Sequence, residues 1–180
     1  ASAPAFTRQT GAANPFNLMD IGYDAAPALA DLGGDGDLGV VLGAFFGDLN
    51  YLLNTGSTTA PAFTRQVDAA NPFNLIRPGS YSTPALADLD GDGDLDAVVG
   101  ESLGTLLYYK NTGNATNSVY TPQAAGANPL NGRDVGNYAA PTLADVDGDG
   151  DLDAFVGTDS GTVAFFRNIG NASSPNFTPV

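Results

Sequence analysis

The stretch that decides the fold is residues 84–100, which read PALADLDGDGDLDAVVG. It recurs 57 residues later as PTLADVDGDGDLDAFVG at 141–157, and 57 residues earlier in altered form as PALADLGGDGDLGVVLG at 27–43. Asn-Pro pairs that begin at positions 14, 71 and 128 keep the same spacing, and no insertion interrupts the register. A fixed period along a whole chain indicates a repeat architecture.

Each repeat alternates short apolar runs with Gly, Asn and Pro. In the middle repeat the runs lie at 85–87, 95–99, 105–109 and 119–121. Such runs predict antiparallel strands, and four strands per repeat is the arrangement of a propeller blade. The sequence therefore predicts an all-β fold of three 57-residue, four-stranded, β-propeller-type blades. The predicted units are an N-terminal outer strand at 1–9, repeat 1 at 10–66, repeat 2 at 67–123 and repeat 3 at 124–180.

Three blades are fewer than the four to eight that usually close a propeller. The outer strand predicted around Phe6 and Thr7 is also one more than three blades need. Three explanations stay open: a longer parent chain supplies further blades, two chains close a ring of six, or chains join head to tail into a filament. The sequence predicts self-association through exposed strand edges in the last two cases.

The composition excludes several functions. Twenty acidic residues against six basic ones give a formal net charge of −14. This charge argues against a nucleic-acid groove and against attraction to anionic membranes. No apolar run is long enough for membrane insertion. The absence of Cys and His excludes thiol catalysis and Cys/His zinc sites. The first residues show no signal-peptide pattern, and the Asp residues outside the repeated loops are scattered, so we expect no enzyme.

The Asp-rich stretches predict metal sites. We call residues 31–39, 88–96 and 145–153 loops 1, 2 and 3, and number the positions of each from 1 to 9. In loops 2 and 3, carboxylates at positions 1, 3, 5 and 9 and a bend-permitting glycine at position 6 suit a hard cation, and calcium accepts such oxygen ligands best. Position 7 is expected to offer its backbone carbonyl and to point its carboxylate at solvent. The candidate ligands are Asp88, Asp90, Asp92, Asp94 and Asp96 in loop 2 and Asp145, Asp147, Asp149, Asp151 and Asp153 in loop 3.

An EF-hand is excluded as the source of this pattern. It requires Glu at position 12, where this chain has Val99 and Val156, and it requires flanking helices where strands are predicted.

Loop 1 departs from the other two copies. Gly33 and Gly39 stand at positions 3 and 9, which leaves only Asp31, Asp35 and Asp37 as weaker candidate ligands. We therefore predict two strong calcium sites and one that is weak or absent.

The next turn of repeat 1 is also apolar. It reads Phe45-Phe46, and Leu53 stands where the other repeats have Lys110 and Arg167. This turn is a candidate surface for self-association; the alternative is that both rings fold back onto the blade.

Residues 84–100 and 141–157 resemble the FG-GAP/VCBS-type repeats of extracellular β-propellers, which also occur in integrin α-subunit heads and in some lectins. The resemblance implies that calcium is held by the loop between the first two strands of a blade, through the side chains at positions 1, 3, 5 and 9 and the carbonyls of Asp94 and Asp151. It also implies a secreted or surface-exposed, non-enzymatic protein used for adhesion or scaffolding.

Two functions remain. The first is a calcium-stabilised extracellular repeat module with a structural, adhesive or self-assembling role, for which surface proteins are candidate partners. The alternative is a carbohydrate-binding propeller whose aromatic side chains stack on sugars. The aromatic candidates are Tyr108, Tyr109, Phe165 and Phe166, for which packing between blades is the favoured interpretation.

Overall fold

The computed structural model describes residues 3 and 5–180, and these residues form three four-stranded antiparallel sheets without an α-helix. Blade 1 contains β1 (Ala26–Ala30), β2 (Gly39–Gly43), β3 (Leu49–Asn54) and β4 (Phe63–Gln66). Blade 2 contains β5 (Thr83–Ala87), β6 (Asp96–Gly100), β7 (Leu106–Asn111) and β8 (Tyr120–Gln123). Blade 3 contains β9 (Ala140–Ala144), β10 (Asp153–Gly157), β11 (Val163–Asn168) and β12 (Phe177–Pro179). Short 3-10 turns lie at Gly11–Ala13, Asp68–Ala70 and Ala125–Ala127.

The prediction of an all-β fold with four strands per repeat is confirmed. In every sheet the strands follow one another in chain order, so each strand pairs with its neighbour in sequence. The first strands of successive blades contact one another, β1 with β5 and β5 with β9. The blades therefore pack side by side with their first strands on the inside, as blades of a propeller do.

An asparagine closes the last hairpin of each blade. The Oδ1 atom of Asn54 accepts hydrogen bonds from the amides of Gly56 and Ala62, both at 3.0 Å. Asn111 and Asn168 make the same pair of bonds 57 and 114 residues further on. The repeated Asn thus fixes the turn between the third and fourth strands.

The segment that precedes each blade acts as a wedge. We call residues 10–25, 67–82 and 124–139 wedge segments 1, 2 and 3. Phe73 of wedge segment 2 is fully buried and stacks on Tyr120, with ring centroids 4.2 Å apart. Asn71 Nδ2 donates to the carbonyl of Leu49 in the preceding blade at 3.0 Å. The Asn-Pro motif therefore does more than begin a turn, because in repeats 2 and 3 it also ties the repeat to the blade before it.

The core of the molecule lies at the seams between blades. One buried cluster joins blade 1 to repeat 2 and contains Tyr109, and a second joins blade 2 to repeat 3 and contains Tyr108 and Phe166. Phe165 is half-buried and stacks on Phe155 at 4.6 Å. Packing between blades is thus confirmed for three of the four aromatic residues considered as sugar platforms.

The structure differs from the sequence prediction at the N-terminus. Residues 5–9 form no strand, and Phe6 is 97% exposed, while residues 1, 2 and 4 of the predicted segment lie outside the described residues. A strand needs a hydrogen-bonding neighbour, and each third strand of the described sheets already pairs with the fourth strand of its own blade.

The two rings of the Phe45-Phe46 turn differ in how far they are exposed. Phe45 is half-buried and packs against Tyr81 of wedge segment 2, with ring centroids 4.7 Å apart. Phe46 is 70% exposed. Only Phe46 therefore offers an apolar surface at this turn.

No helix within residues 3 and 5–180 is long and apolar enough to cross a membrane.

Candidate metal centre

Each Asp loop connects the first two strands of its blade, where the sequence analysis placed it. The aspartate at position 1 holds the loop in shape. In loop 2, Asp88 accepts hydrogen bonds from the amides of Gly91 at 2.7 Å and Gly93 at 3.0 Å. Both glycines have positive φ, which explains why glycine stands there. Asp31 and Asp145 make the same two bonds in loops 1 and 3, so all three loops keep this fold through their own hydrogen bonds.

The carboxylates at positions 1, 3 and 5 converge in two of the loops. Asp88, Asp90 and Asp92 each place one carboxylate oxygen within 4.8 Å of the others, and loop 3 does the same with its equivalent residues Asp145, Asp147 and Asp149. Among the described residues, loop 1 forms no such cluster, because Gly33 removes the side chain at position 3. Three negative charges at this separation repel one another, and a bound dication would relieve that repulsion.

The side chains at position 7 do not point at solvent, so that expectation was wrong. Asp94 Oδ1 and Asp151 Oδ1 are buried and have no hydrogen-bond partner within the described chain. The amide of Asp94 donates to Asp92 Oδ1 at 3.2 Å. Burial, with the charges of nearby carboxylates, raises the pKa of both Asp94 and Asp151.

Position 9 ties loop 2 to the blade. Asp96 is buried and accepts hydrogen bonds from the amide of Asn111 and the hydroxyl of Tyr108, both at 2.7 Å. The amide of Leu89 donates a third bond at 3.3 Å. Burial raises the pKa of Asp96 to about 6, although the bonds from Asn111 and Tyr108 oppose the rise. Asp96 therefore has a structural role in addition to the ligand role that the resemblance implies.

The same position is less satisfied in loop 3. Asp153 Oδ1 accepts a hydrogen bond from the amide of Asn168 at 2.8 Å. Phe165 stands where blade 2 has Tyr108, so Asp153 Oδ2 is buried with no partner among the residues described. Asp153 lies outside the cluster formed by Asp145, Asp147 and Asp149, so it would have to move closer to share an ion with them.

At position 9, loop 1 has Gly39 in place of an aspartate, and the ring of Tyr51 lies against it. A Cβ atom on Gly39 would lie 2.8 Å from Cε2 of Tyr51. Tyr51 is equivalent to Tyr108, whose hydroxyl donates to Asp96 in blade 2, but loop 1 has no carboxylate at position 9 to receive the Tyr51 hydroxyl. Burial, followed by the charges of Asp35 and Asp31, raises the pKa of the Tyr51 hydroxyl.

Basic residues on the third strands reach the loops, which the sequence analysis missed. Lys110 Nζ contacts Asp90 Oδ2 and lies 3.3 Å from Asp92 Oδ2. Arg167 Nε lies 3.3 Å from Asp147 Oδ2. The sequence contained a signal for this contact, because the basic residue occurs only in the two repeats that have Asp at position 3.

The residues present fit a calcium ion. The donors are carboxylate and carbonyl oxygens, which a hard cation prefers. Four buried carboxylate oxygens also lack a hydrogen-bond partner in the part of the chain that the structure describes. They are Asp90 Oδ1 and Asp94 Oδ1 in loop 2, and Asp151 Oδ1 and Asp153 Oδ2 in loop 3. Asp90 belongs to the carboxylate cluster of loop 2, and a bound ion would satisfy its buried oxygen, which is otherwise costly to leave unpaired. Asp94, Asp151 and Asp153 lie outside the clusters of the described chain.

Comparison with known protein families finds a match to part of the chain. The family model of the FG-GAP-like repeat matches residues 88–156. This segment is similar to an FG-GAP-like repeat. The FG-GAP-like match begins at the first residue of loop 2 and ends within β10, so it spans both clustered loops. The resemblance stated from the sequence is thus confirmed over this segment. A comparison with curated proteins finds no match to the chain.

Proposed function

We propose that this chain is a non-enzymatic, extracellular repeat module that is stabilised by calcium and has a structural, adhesive or self-assembling role. Loops 2 and 3 would each hold one ion, and loop 1 would hold calcium weakly or not at all. The observation that carries the proposal is the convergence of three carboxylates in two equivalent loops of an FG-GAP-like repeat.

The loops are placed where an ion would stiffen the seams between blades. A Cβ atom on Gly91 of loop 2 would lie 3.1 Å from the carbonyl of Ala172 in the last hairpin of repeat 3. Loop 2 therefore packs against the following repeat. Calcium, when bound, supplies the positive charge that neutralises the clustered carboxylates, and the bond from the Asn111 amide to Asp96 ties the loop to the third strand of its own blade.

The net charge of the chain supports this reading of the loops. The three loops contain 13 of the 20 acidic residues. Two bound calcium ions would change the formal net charge from −14 to −10. Most of the acidity is thus concentrated at the candidate sites and is not a general property of the surface.

Isothermal titration of the chain with calcium tests the proposal, together with thermal unfolding in calcium and in EDTA. We expect two bound ions and a melting temperature several degrees higher in calcium, since a ligand at about 100 times its Kd adds about 2.7 kcal/mol of stability. Three equivalent sites, or a melting temperature indifferent to EDTA, would contradict the proposal.

Three matched variants at position 5 identify the sites. Asp92→Asn and Asp149→Asn should each remove one bound ion. Asp35→Asn, the equivalent change in loop 1, should leave the number of tight sites at two. If Asp35→Asn also removes a tight site, the assignment of loop 1 is wrong.

The lectin alternative has little support from the rings that suggested it. Tyr108, Tyr109 and Phe166 are each no more than 6% exposed, so a sugar cannot stack on them without opening a seam. Phe46 remains a candidate contact for a surface protein or a second copy of the chain.

A further inference from the structure

The seam between blades 1 and 2 and the seam between blades 2 and 3 are formed by equivalent residues. The outer face of blade 3 has apolar residues at the same positions, and nothing in the described chain covers them. Leu49 and Leu106, at equivalent positions of blades 1 and 2, are 2% and 3% exposed because wedge segments 2 and 3 pack on them. Val163, the equivalent residue of blade 3, is 67% exposed. Its neighbour on this face, Phe165, is only half-buried. The apolar face that accepts a wedge segment is thus present a third time.

The matching wedge segment is also present, and no preceding blade of the described chain covers it. Phe73 and Leu130 are buried in the two internal seams at 0% and 1% exposure, whereas Phe16, their equivalent in wedge segment 1, is 37% exposed. Ser82 and Ala139 at the ends of wedge segments 2 and 3 are fully buried. Ala25, at the same position of wedge segment 1, is exposed.

A glycine gives independent evidence. Gly43 and Gly100 end the second strands of blades 1 and 2, and a Cβ atom on either would overlap the carbonyl of the incoming wedge segment, that of Ser82 or Ala139. Gly157 ends the second strand of blade 3, yet within the described chain a Cβ there would meet only Ala140, at 3.9 Å. Contacts within the chain therefore do not account for glycine at this position, whereas an incoming wedge segment would.

The polar groups of the internal seams have equivalents on both free faces. The amides of Ser82 and Ala139 donate to the carbonyls of Ala44 and Glu101, at 3.3 and 3.1 Å. At the free faces the corresponding groups are the amide of Ala25 and the carbonyl of Thr158.

The asparagine side chain of the Asn-Pro motif also makes an equivalent hydrogen bond at each internal seam. Asn71 Nδ2 and Asn128 Nδ2 donate to the carbonyls of Leu49 and Leu106, both at 3.0 Å. The equivalent donor is Asn14 Nδ2, and the equivalent acceptor is the carbonyl of Val163.

We propose that wedge segment 1 of one copy of the chain docks on the outer face of blade 3 of a second copy and forms a third seam like the two internal ones. Phe16 would cover Val163 and Phe165, and Gly157 would lie against the carbonyl of Ala25. The contact joins two different surfaces, so it continues from copy to copy until it closes a ring or extends as a filament. This inference deepens the self-assembling role of the proposed function and rests on it, but it does not depend on calcium.

Analytical ultracentrifugation across a wide range of protein concentrations tests the proposal. Each copy carries a formal charge of −14, so moderate salt is needed to screen the repulsion between copies. We expect the mass to rise with concentration. The variant Gly157→Ala should leave the melting temperature unchanged and weaken association about tenfold or more, because the added Cβ overpacks the intermolecular seam only.

Two variants serve as controls. Gly100→Ala adds the same atom at an internal seam, and it should lower the melting temperature. Phe46→Ser changes the other exposed apolar surface and should leave association unchanged. A wild-type chain that stays monomeric, or an association that is lost in Phe46→Ser and retained in Gly157→Ala, would overturn the inference.

Mixing two defective chains tests the head-to-tail geometry. Val163→Asp blocks the outer face of blade 3, and Ala25→Asp blocks wedge segment 1, so each variant alone should be monomeric. Their mixture retains one intact pair of surfaces and should form one-to-one pairs and nothing larger. A mixture that stays monomeric would refute the geometry. If the association fails while melting still depends on calcium, the inference falls and the proposed calcium module stands.

Discussion

Loops 2 and 3 have almost the same sequence, but their surroundings differ. In loop 2, Lys110 contacts two of the clustered carboxylates, and Tyr108 satisfies the carboxylate at position 9. In loop 3, Arg167 approaches only Asp147, and Phe165 leaves one oxygen of Asp153 without a partner in the described residues. Residues of the third strand therefore determine the charge and the hydrogen bonding around carboxylates that lie in the loop between the first two strands. We expect loop 3 to bind calcium more tightly than loop 2.

Loops 2 and 3 both have a carboxylate at position 3, and loop 1 does not. Adding one to loop 1 tests how far calcium binding depends on that position. Gly33→Asp supplies the side chain that loop 1 lacks, and a Cβ there would meet only the Asp35 carboxylate, at 3.7 Å. We expect a third calcium site and an affinity gain at loop 1 of about a hundredfold, since ligand charge sets calcium affinity over several orders of magnitude. Calorimetry would count the ions.

The matched control for this gain is Gly39→Asp. It adds a carboxylate at position 9, where the Tyr51 ring has to shift, and it leaves position 3 without a carboxylate. It should lower stability and add no site. If Gly33→Asp also adds no calcium site, the missing carboxylate at position 3 is not what separates loop 1 from loops 2 and 3.

The second prediction concerns the amine that neutralises loop 2. Lys110→Met keeps an unbranched side chain, one heavy atom shorter, and removes its charge, so calcium no longer competes with an ammonium group for Asp90 and Asp92. We expect calcium to bind loop 2 about tenfold more tightly, which is about 1.4 kcal/mol and modest for a charge at this distance. Arg167→Met should have a smaller effect at loop 3. Equal effects of the two changes would remove the proposed difference between the loops.

A third variant would make loop 3 resemble loop 2. Phe165→Tyr places a hydroxyl where Tyr108 has one, so that it can donate to Asp153 Oδ2. A satisfied carboxylate is a weaker ligand, and we expect a loss of about fivefold in calcium affinity with a gain of about 1 kcal/mol in calcium-free stability. Chemical denaturation in EDTA measures the second effect. The reverse change, Tyr108→Phe, should do the opposite in loop 2, and the idea fails if both variants move affinity in the same direction.

The smallest effect follows from acidity. The pKa of Asp96 is raised to about 6, chiefly by burial, so the carboxyl gains a proton as the pH falls through that value. Calcium needs the charged form, and a single competing proton should weaken binding at loop 2 about fourfold between about pH 7 and about pH 5.5. Titrations in two buffers of different ionisation heat would show proton release on binding. Affinity that does not change over this range would show that Asp96 is not coupled to the ion.

The sequence predicted the fold well because the period, the turn residues and the apolar runs all lie along the chain. The 57-residue register located every four-stranded blade, and the spacing of the aspartates located both carboxylate clusters. These features depend on residues that are close together in sequence, so they can be read from a sequence pattern.

What the sequence did not predict depends on contacts across the blade. Lys110 is 20 residues from Asp90, and Tyr108 is 12 residues from Asp96. Their meeting is decided by strand register, which brings the third strand beside the loop. The buried orientation of Asp94 and Asp151 was missed for a similar reason, since it follows from how the loop closes on itself.

The chain-order pairing within each blade has a consequence for how this protein folds. Paired strands are joined by connections of eight residues or fewer, so forming a sheet never requires distant parts of the chain to find one another. All-β proteins usually fold slowly because their pairings are non-local. Here each hairpin can close on its own, and during synthesis a blade can assemble as soon as its 57 residues have left the ribosome. The slow step should then be the docking of one finished blade on the next.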